Sequence, residues 1–106
     1  MVTTPAPPPP PQANCANPCA VKIQNFAFSP ATITIKAGTT VTWTNLDTTV
    51  HTVTSGDGSF ESKSMYPPNG DIPPQTSYSF TFSSPGSHSY ICAVHTYMHG
   101  SVTVIS

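Results

Sequence analysis

Apolar residues in this chain return at every second position, in short runs that never lengthen into a helical repeat. Val21 and Ile23, Ile33 and Ile35, Val41 and Trp43, Tyr78 with Phe80 and Phe82, and Val102 with Val104 each alternate with Thr, Ser, Lys or Gln. A period of two puts one face of a strand in a core and leaves the other in water. Turn formers separate the runs: Ser29-Pro30, Ala37-Gly38, Gly56-Asp57-Gly58, Pro67-Pro68-Asn69-Gly70, Pro73-Pro74 and Pro85-Gly86. The pattern predicts an all-β Greek-key sandwich or barrel of about seven to eight strands, near residues 20–26, 31–36, 39–46, 50–54, 59–63, 76–83, 87–93 and 100–105. With 106 residues there is room for one such domain. Phe26, Phe28, Trp43, Tyr78, Phe80, Phe82 and Tyr90 are its expected aromatic core. The stretch 60–76 holds too much proline for a central strand and reads as a long loop packed on the sandwich edge.

The first 19 residues are of another kind. Residues 2–18 hold seven of the 13 prolines and almost nothing to bury. Such a run favours extended polyproline II and behaves as a semi-rigid spacer. The expected division is therefore a proline-rich tether over 1–19 and a folded domain over 20–106. No apolar segment follows Met1, so it does not open a signal peptide, and no run is long enough to span a bilayer. Met1 reads as an added start, with any export signal or anchor upstream. Cys15 and Cys19 are spaced to close a small disulfide loop in an oxidising compartment, with free thiols as the alternative. A two-copper site on the same spacing is disfavoured, because no histidine or methionine follows Cys19 at ligand distance. Cys92 is the odd thiol out.

Charge removes further classes. Three lysines and no arginine face four carboxylates, for a net charge of −1. Nucleic-acid binding needs clustered Lys and Arg to displace counterions, so that class is excluded.

The chemistry-bearing segment is Tyr90-Ile91-Cys92-Ala93-Val94-His95-Thr96-Tyr97-Met98-His99-Gly100. A thiolate, an imidazole and a thioether follow at three-residue intervals in a turn between two strands, so they converge on one point. Each taken alone has a plain structural reading, Cys92 as a small buried hydrophobe and Met98 as a gap filler. Together the thiolate and thioether select a soft ion, and two histidines with one cysteine and a long axial methionine are the blue-copper set. His51, in Val50-His51-Thr52-Val53-Thr54, is the candidate second histidine. His88, two pleats further into the body, and His99, facing away beside Met98, are its rivals.

On these two segments, residues 41–54 and 85–100, the chain from about residue 20 onward resembles the cupredoxins. The two-residue gap between His95 and Met98 is similar to the short ligand loop of the amicyanins. The resemblance implies that His51, Cys92 and His95 are equatorial ligands and Met98 the axial ligand of one type 1 copper. Thr52 stands where many members have asparagine; its N–H is expected on the Cys92 sulfur, and its side chain against the ligand loop, with Asn45 as a second bracing residue. The implied function is one-electron transfer through Cu(I)/Cu(II) between redox partner proteins that dock transiently, and not catalysis. His95, ringed by Ala93, Val94, Tyr97 and residues of 26–30 and 65–68, is the implied electron port. The implied setting is a monomer in the periplasm or another extracytoplasmic space, tethered to a membrane through a removed segment. A copper module of a larger membrane-associated redox enzyme is the alternative, followed by a copper carrier or a zinc site on the same ligands. The absence of an H-x-H pair argues against a multicopper oxidase centre, and Met98 against an open catalytic position.

Overall fold

The computed structural model describes residues 13–68 and 76–106. Their strands are β1 (Ala13–Asn14), β2 (Cys19–Gln24), β3 (Ala27–Ser29), β4 (Thr32–Lys36), β5 (Thr39–Asn45), β6 (Thr54–Ser55), β7 (Ser77–Phe82), β8 (Gly86–Ile91) and β9 (His99–Ile105). They form two sheets, ordered β1-β4-β9-β8-β6 and β3-β2-β5-β7, the expected all-β sandwich. β2 runs parallel to β5 and β4 parallel to β9, while β5–β7 and β8–β9 are antiparallel.

β5 illustrates how the sequence makes both faces. Thr39, Val41, Trp43 and Asn45 point inward and are buried. Thr40, Thr42 and Thr44 point outward, and their hydroxyls meet Thr81, Ser79 and Ser77 of β7 at 2.7, 2.7 and 3.3 Å. This ladder of hydroxyl pairs gives the sheet a wet face without charge. Inside, the fully buried Trp43 ring stacks on Phe60 at 5.7 Å and meets Tyr90 edge-on at 5.5 Å.

Four expectations are corrected. The run 20–26 ends at Gln24, because Asn25 and Phe26 both take φ of 56° and form a two-residue hairpin turn into β3. Phe26 is thereby turned out of the core and is 39% exposed, while Tyr78 and Phe80 are only partly buried. Of the runs 50–54 and 59–63, only Thr54 lies in a strand, the two-residue β6. Isolated bridges pair Thr54 with Glu61 and, just beyond the second run, His51 with Met65, and the Ser62 hydroxyl accepts the Val53 N–H at 2.7 Å where a ladder carbonyl would stand. Phe60, Ser62 and Met65 are buried, so 60–68 closes the sandwich beside His51 and is not a peripheral loop.

The folded body also begins upstream of Ala20. β1 pairs with β4, and Cys15 is disulfide-bonded to Cys19, whose side chain lies in the core. The proline-rich run up to residue 12, and residues 69–75 of the 60–76 stretch, lie outside the described residues. No helix among the described residues is long and apolar enough to cross a membrane.

Candidate metal centre

β5 and β8 belong to different sheets but end at the same pole of the sandwich. After Asn45 the chain leaves β5, and six residues later His51 enters the core, fully buried. After Ile91 the chain leaves β8 with Cys92, also fully buried. A tight loop follows, in which Met98 N–H bonds the His95 carbonyl at 2.9 Å and Cys92 N–H bonds the Met98 carbonyl at 3.0 Å. These bonds fold the C-x-x-H-x-x-M segment back on itself before β9 begins. His95 is half-buried and Met98 is buried.

The result is a group of three ligand atoms within 4.8 Å of one another. Cys92 Sγ lies 3.6 Å from His51 Nδ1 and 3.7 Å from His95 Nδ1. Bond lengths of about 2.0 Å to nitrogen and 2.3 Å to sulfur, as at zinc, would separate such a pair by about 3.5 Å at the tetrahedral angle and about 3.7 Å at 120°. The spacing therefore suits one first-row ion held between the three. One thiolate and two imidazoles, with a thioether nearby, fit copper better than zinc, which has little use for methionine.

Neighbouring groups fix the three side chains. Thr52 donates its N–H to Cys92 Sγ at 3.4 Å, and its hydroxyl accepts the Ala93 N–H at 2.7 Å. Asn45 is buried, and its amide donates to the Thr49 and Met65 carbonyls at 3.0 and 2.9 Å, tying the loop before His51 to the strand behind it. His51 itself exchanges two backbone bonds with Met65. His88 and His99 stand outside the group: His88 pairs with Asp57 at 3.0 Å on the surface, and His99 is exposed at the start of β9.

Two residues escaped the sequence reading. Asp47 accepts the His51 Nε2–H at 2.8 Å. Burial pushes the Asp47 carboxyl up, but the Phe26 N–H, His51 and the Asn25 N–H outweigh it, and the net shift is downward. The available signal was an acid four residues before a candidate ligand. Phe26 was assigned to the core, yet its ring stands edge-on to His51 at 5.3 Å and to His95 at 5.0 Å. Of the residues expected around His95, Tyr97 has its ring 6.1 Å from the imidazole and is 66% exposed, Val94 is 52% exposed and Ala93 is exposed; Leu46, outside that expectation, is 42% exposed. Met65, in one of the segments expected there, is buried.

Comparisons with known proteins show the family and the fold. The family model for a cupredoxin-like domain matches residues 2–104. Amicyanin-alpha of Methylorubrum extorquens is 37% identical over 84 residues, covering 79% of this chain and 69% of the relative. The chain spans between 63% and 69% of the length of three curated amicyanin relatives. Among solved structures, a Cu(I) amicyanin with a methionine-to-glutamine substitution superposes with a TM-score of 0.70 at 26% identity, covering 85% of this chain and 82% of that one. A copper-containing nitrite reductase from Thermus scotoductus superposes with a TM-score of 0.72 at 26% identity, covering 99% of this chain but 25% of its own.

Proposed function

Because the chain belongs to the cupredoxin-like family, we propose that it is a type 1 copper protein that passes single electrons between partner proteins, with His51, Cys92, His95 and Met98 as the residues that would hold the ion. The observation that carries this reading is the convergence of one buried thiol and two imidazole Nδ1 atoms at 3.6 and 3.7 Å. Copper, when bound, supplies the one-electron Cu(I)/Cu(II) couple.

The chain's part is to hold the donors still and dry. His51 and Cys92 enter from separate sheets with their backbones pinned, so the donor spacing is set by the fold and changes little when charge arrives. Thr52 N–H stabilises negative charge on the sulfur, and burial keeps water from the thiol; both act on the potential. His95 alone reaches the rim, among Phe26, Val94 and Tyr97, which makes it the electron port. An apolar rim on a chain with so little charge suits brief docking without steering. The Cys15–Cys19 disulfide supports an extracytoplasmic setting, the periplasm in a bacterium, with residues ahead of the sandwich acting as a spacer.

The test is voltammetry of the copper-loaded protein. One reversible one-electron wave per chain, with the same absorption spectrum recovered after reduction and reoxidation, is expected; loss of metal or spectrum on each cycle would contradict the role. The nitrite reductase neighbour favours a second reading, an electron-entry module of a larger copper enzyme. A complete reading frame that continues into a further copper domain would establish it, and one holding only this domain would exclude it.

A further inference from the structure

The Asn25–Phe26 turn is unusual, because Phe26 is a bulky residue in the left-handed region without glycine's freedom. Its two successive N–H groups converge on one carboxylate: Asn25 N–H on Asp47 Oδ1 at 2.7 Å and Phe26 N–H on Oδ2 at 2.9 Å. Consecutive N–H groups in such turns form an anion-holding concavity. Oδ2 also accepts the His51 Nε2–H at 2.8 Å. Asp47 is itself held, its N–H on Asn45 Oδ1 at 3.0 Å.

We propose that Asp47 is a positioning residue of the metal centre, one carboxylate that fixes the tautomer and charge environment of His51 and also clamps the Asn25–Phe26 turn so that the Phe26 ring covers both imidazoles. The inference rests on the copper reading above for its effect on the potential, but not for its geometry. With the Nε2 proton engaged by Oδ2, the His51 lone pair lies on Nδ1, the atom that faces Cys92 Sγ. A carboxylate on the far nitrogen of a ligating histidine raises its donor strength, and its negative charge favours the more positive oxidised ion. The turn and the ligand share one acceptor, so the cover over the site and the site's electronic character are set together.

Asp47→Asn removes the charge while keeping one acceptor, and Asp47→Ala removes both. In the metal-free protein, nitrogen NMR is expected to find His51 protonated at Nε2 alone in the wild type and as mixed tautomers in Asp47→Ala, with amide exchange at Asn25 and Phe26 faster by about tenfold or more. In the copper-loaded protein, Asp47→Asn is expected to weaken Cu(II) binding by about tenfold relative to Cu(I), which raises the potential by about 59 mV for one electron. An unchanged tautomer and unchanged exchange in Asp47→Ala, or a potential in Asp47→Asn equal to the wild type's, would overturn the proposal. If the wild type forms no copper–thiolate complex, the copper reading fails, and the metal-free NMR result decides the role of Asp47 by itself.

Discussion

Thr52 serves the site with two groups at once, its N–H on the Cys92 sulfur and its hydroxyl under the Ala93 N–H. Thr52→Ala leaves the first bond in place and orphans the Ala93 donor at the root of the ligand loop. A stability loss of about 1–2 kcal/mol is expected by chemical denaturation of the metal-free protein, with the copper–thiolate band retained. Tyr90, two residues before Cys92, gives a pH signature. Burial pushes its phenol up to about 12 from the ordinary value of 10.0. Between those values the unfolded chain has lost the proton and the folded chain keeps it, so stability is full below pH 10 and falls as pH rises toward 12. Denaturant midpoints across this range are expected to fall in the wild type and to fall less in Tyr90→Phe. The grouping of Cys92 with His95 was legible because the two are spaced within one turn. Asp47 and Phe26 were not, because their roles depend on a hairpin turn without the usual Asn-Gly signal and on a contact across 21 residues.

At the level of elements, the site rests on how β8 enters and β9 leaves the ligand loop. Gly100, the second residue of β9, stands opposite Tyr90. A Cβ there would stand 2.5 Å from the Tyr90 ring carbon and hydroxyl and 2.8 Å from the Ala31 carbonyl. The carbonyl is backbone and the tyrosine is buried, so neither yields easily. Gly100→Ala is expected to cost about 1–3 kcal/mol in thermal or chemical unfolding and, by displacing Tyr90, to shift the absorption of the copper–thiolate complex. The long alternating strands were readable because both faces repeat: buried Val, Ile and Trp against outward Thr and Ser. The region 50–65 was not, because its backbone bonds go elsewhere. Thr52 N–H goes to a sulfur and Val53 N–H to the Ser62 hydroxyl, and periodicity carries no trace of either partner.

For the molecule as a whole, the proposed docking of partners through apolar contact rests on low charge and exposed apolar side chains. Phe26, Leu46, Val94 and Tyr97 are exposed, and the chain carries a net charge of −1. Electron-transfer rates with a partner are therefore expected to change little between low and high ionic strength; a steep fall with salt would show that steering, and not apolar contact, brings partners to His95. The pairing of Ala13–Asn14 with β4, inside the stretch expected to be a tether, was not legible, because an edge contact of two residues leaves no alternation. All of this turns on whether the His51, Cys92 and His95 group takes up copper as one unit, which absorption-monitored titration of the metal-free protein with Cu(II) tests most directly. An intense visible thiolate-to-copper band that saturates at one equivalent per chain, and is abolished in Cys92→Ser, is the expected result. A colourless Cu(II) complex, or a band of equal strength in Cys92→Ser, would contradict it.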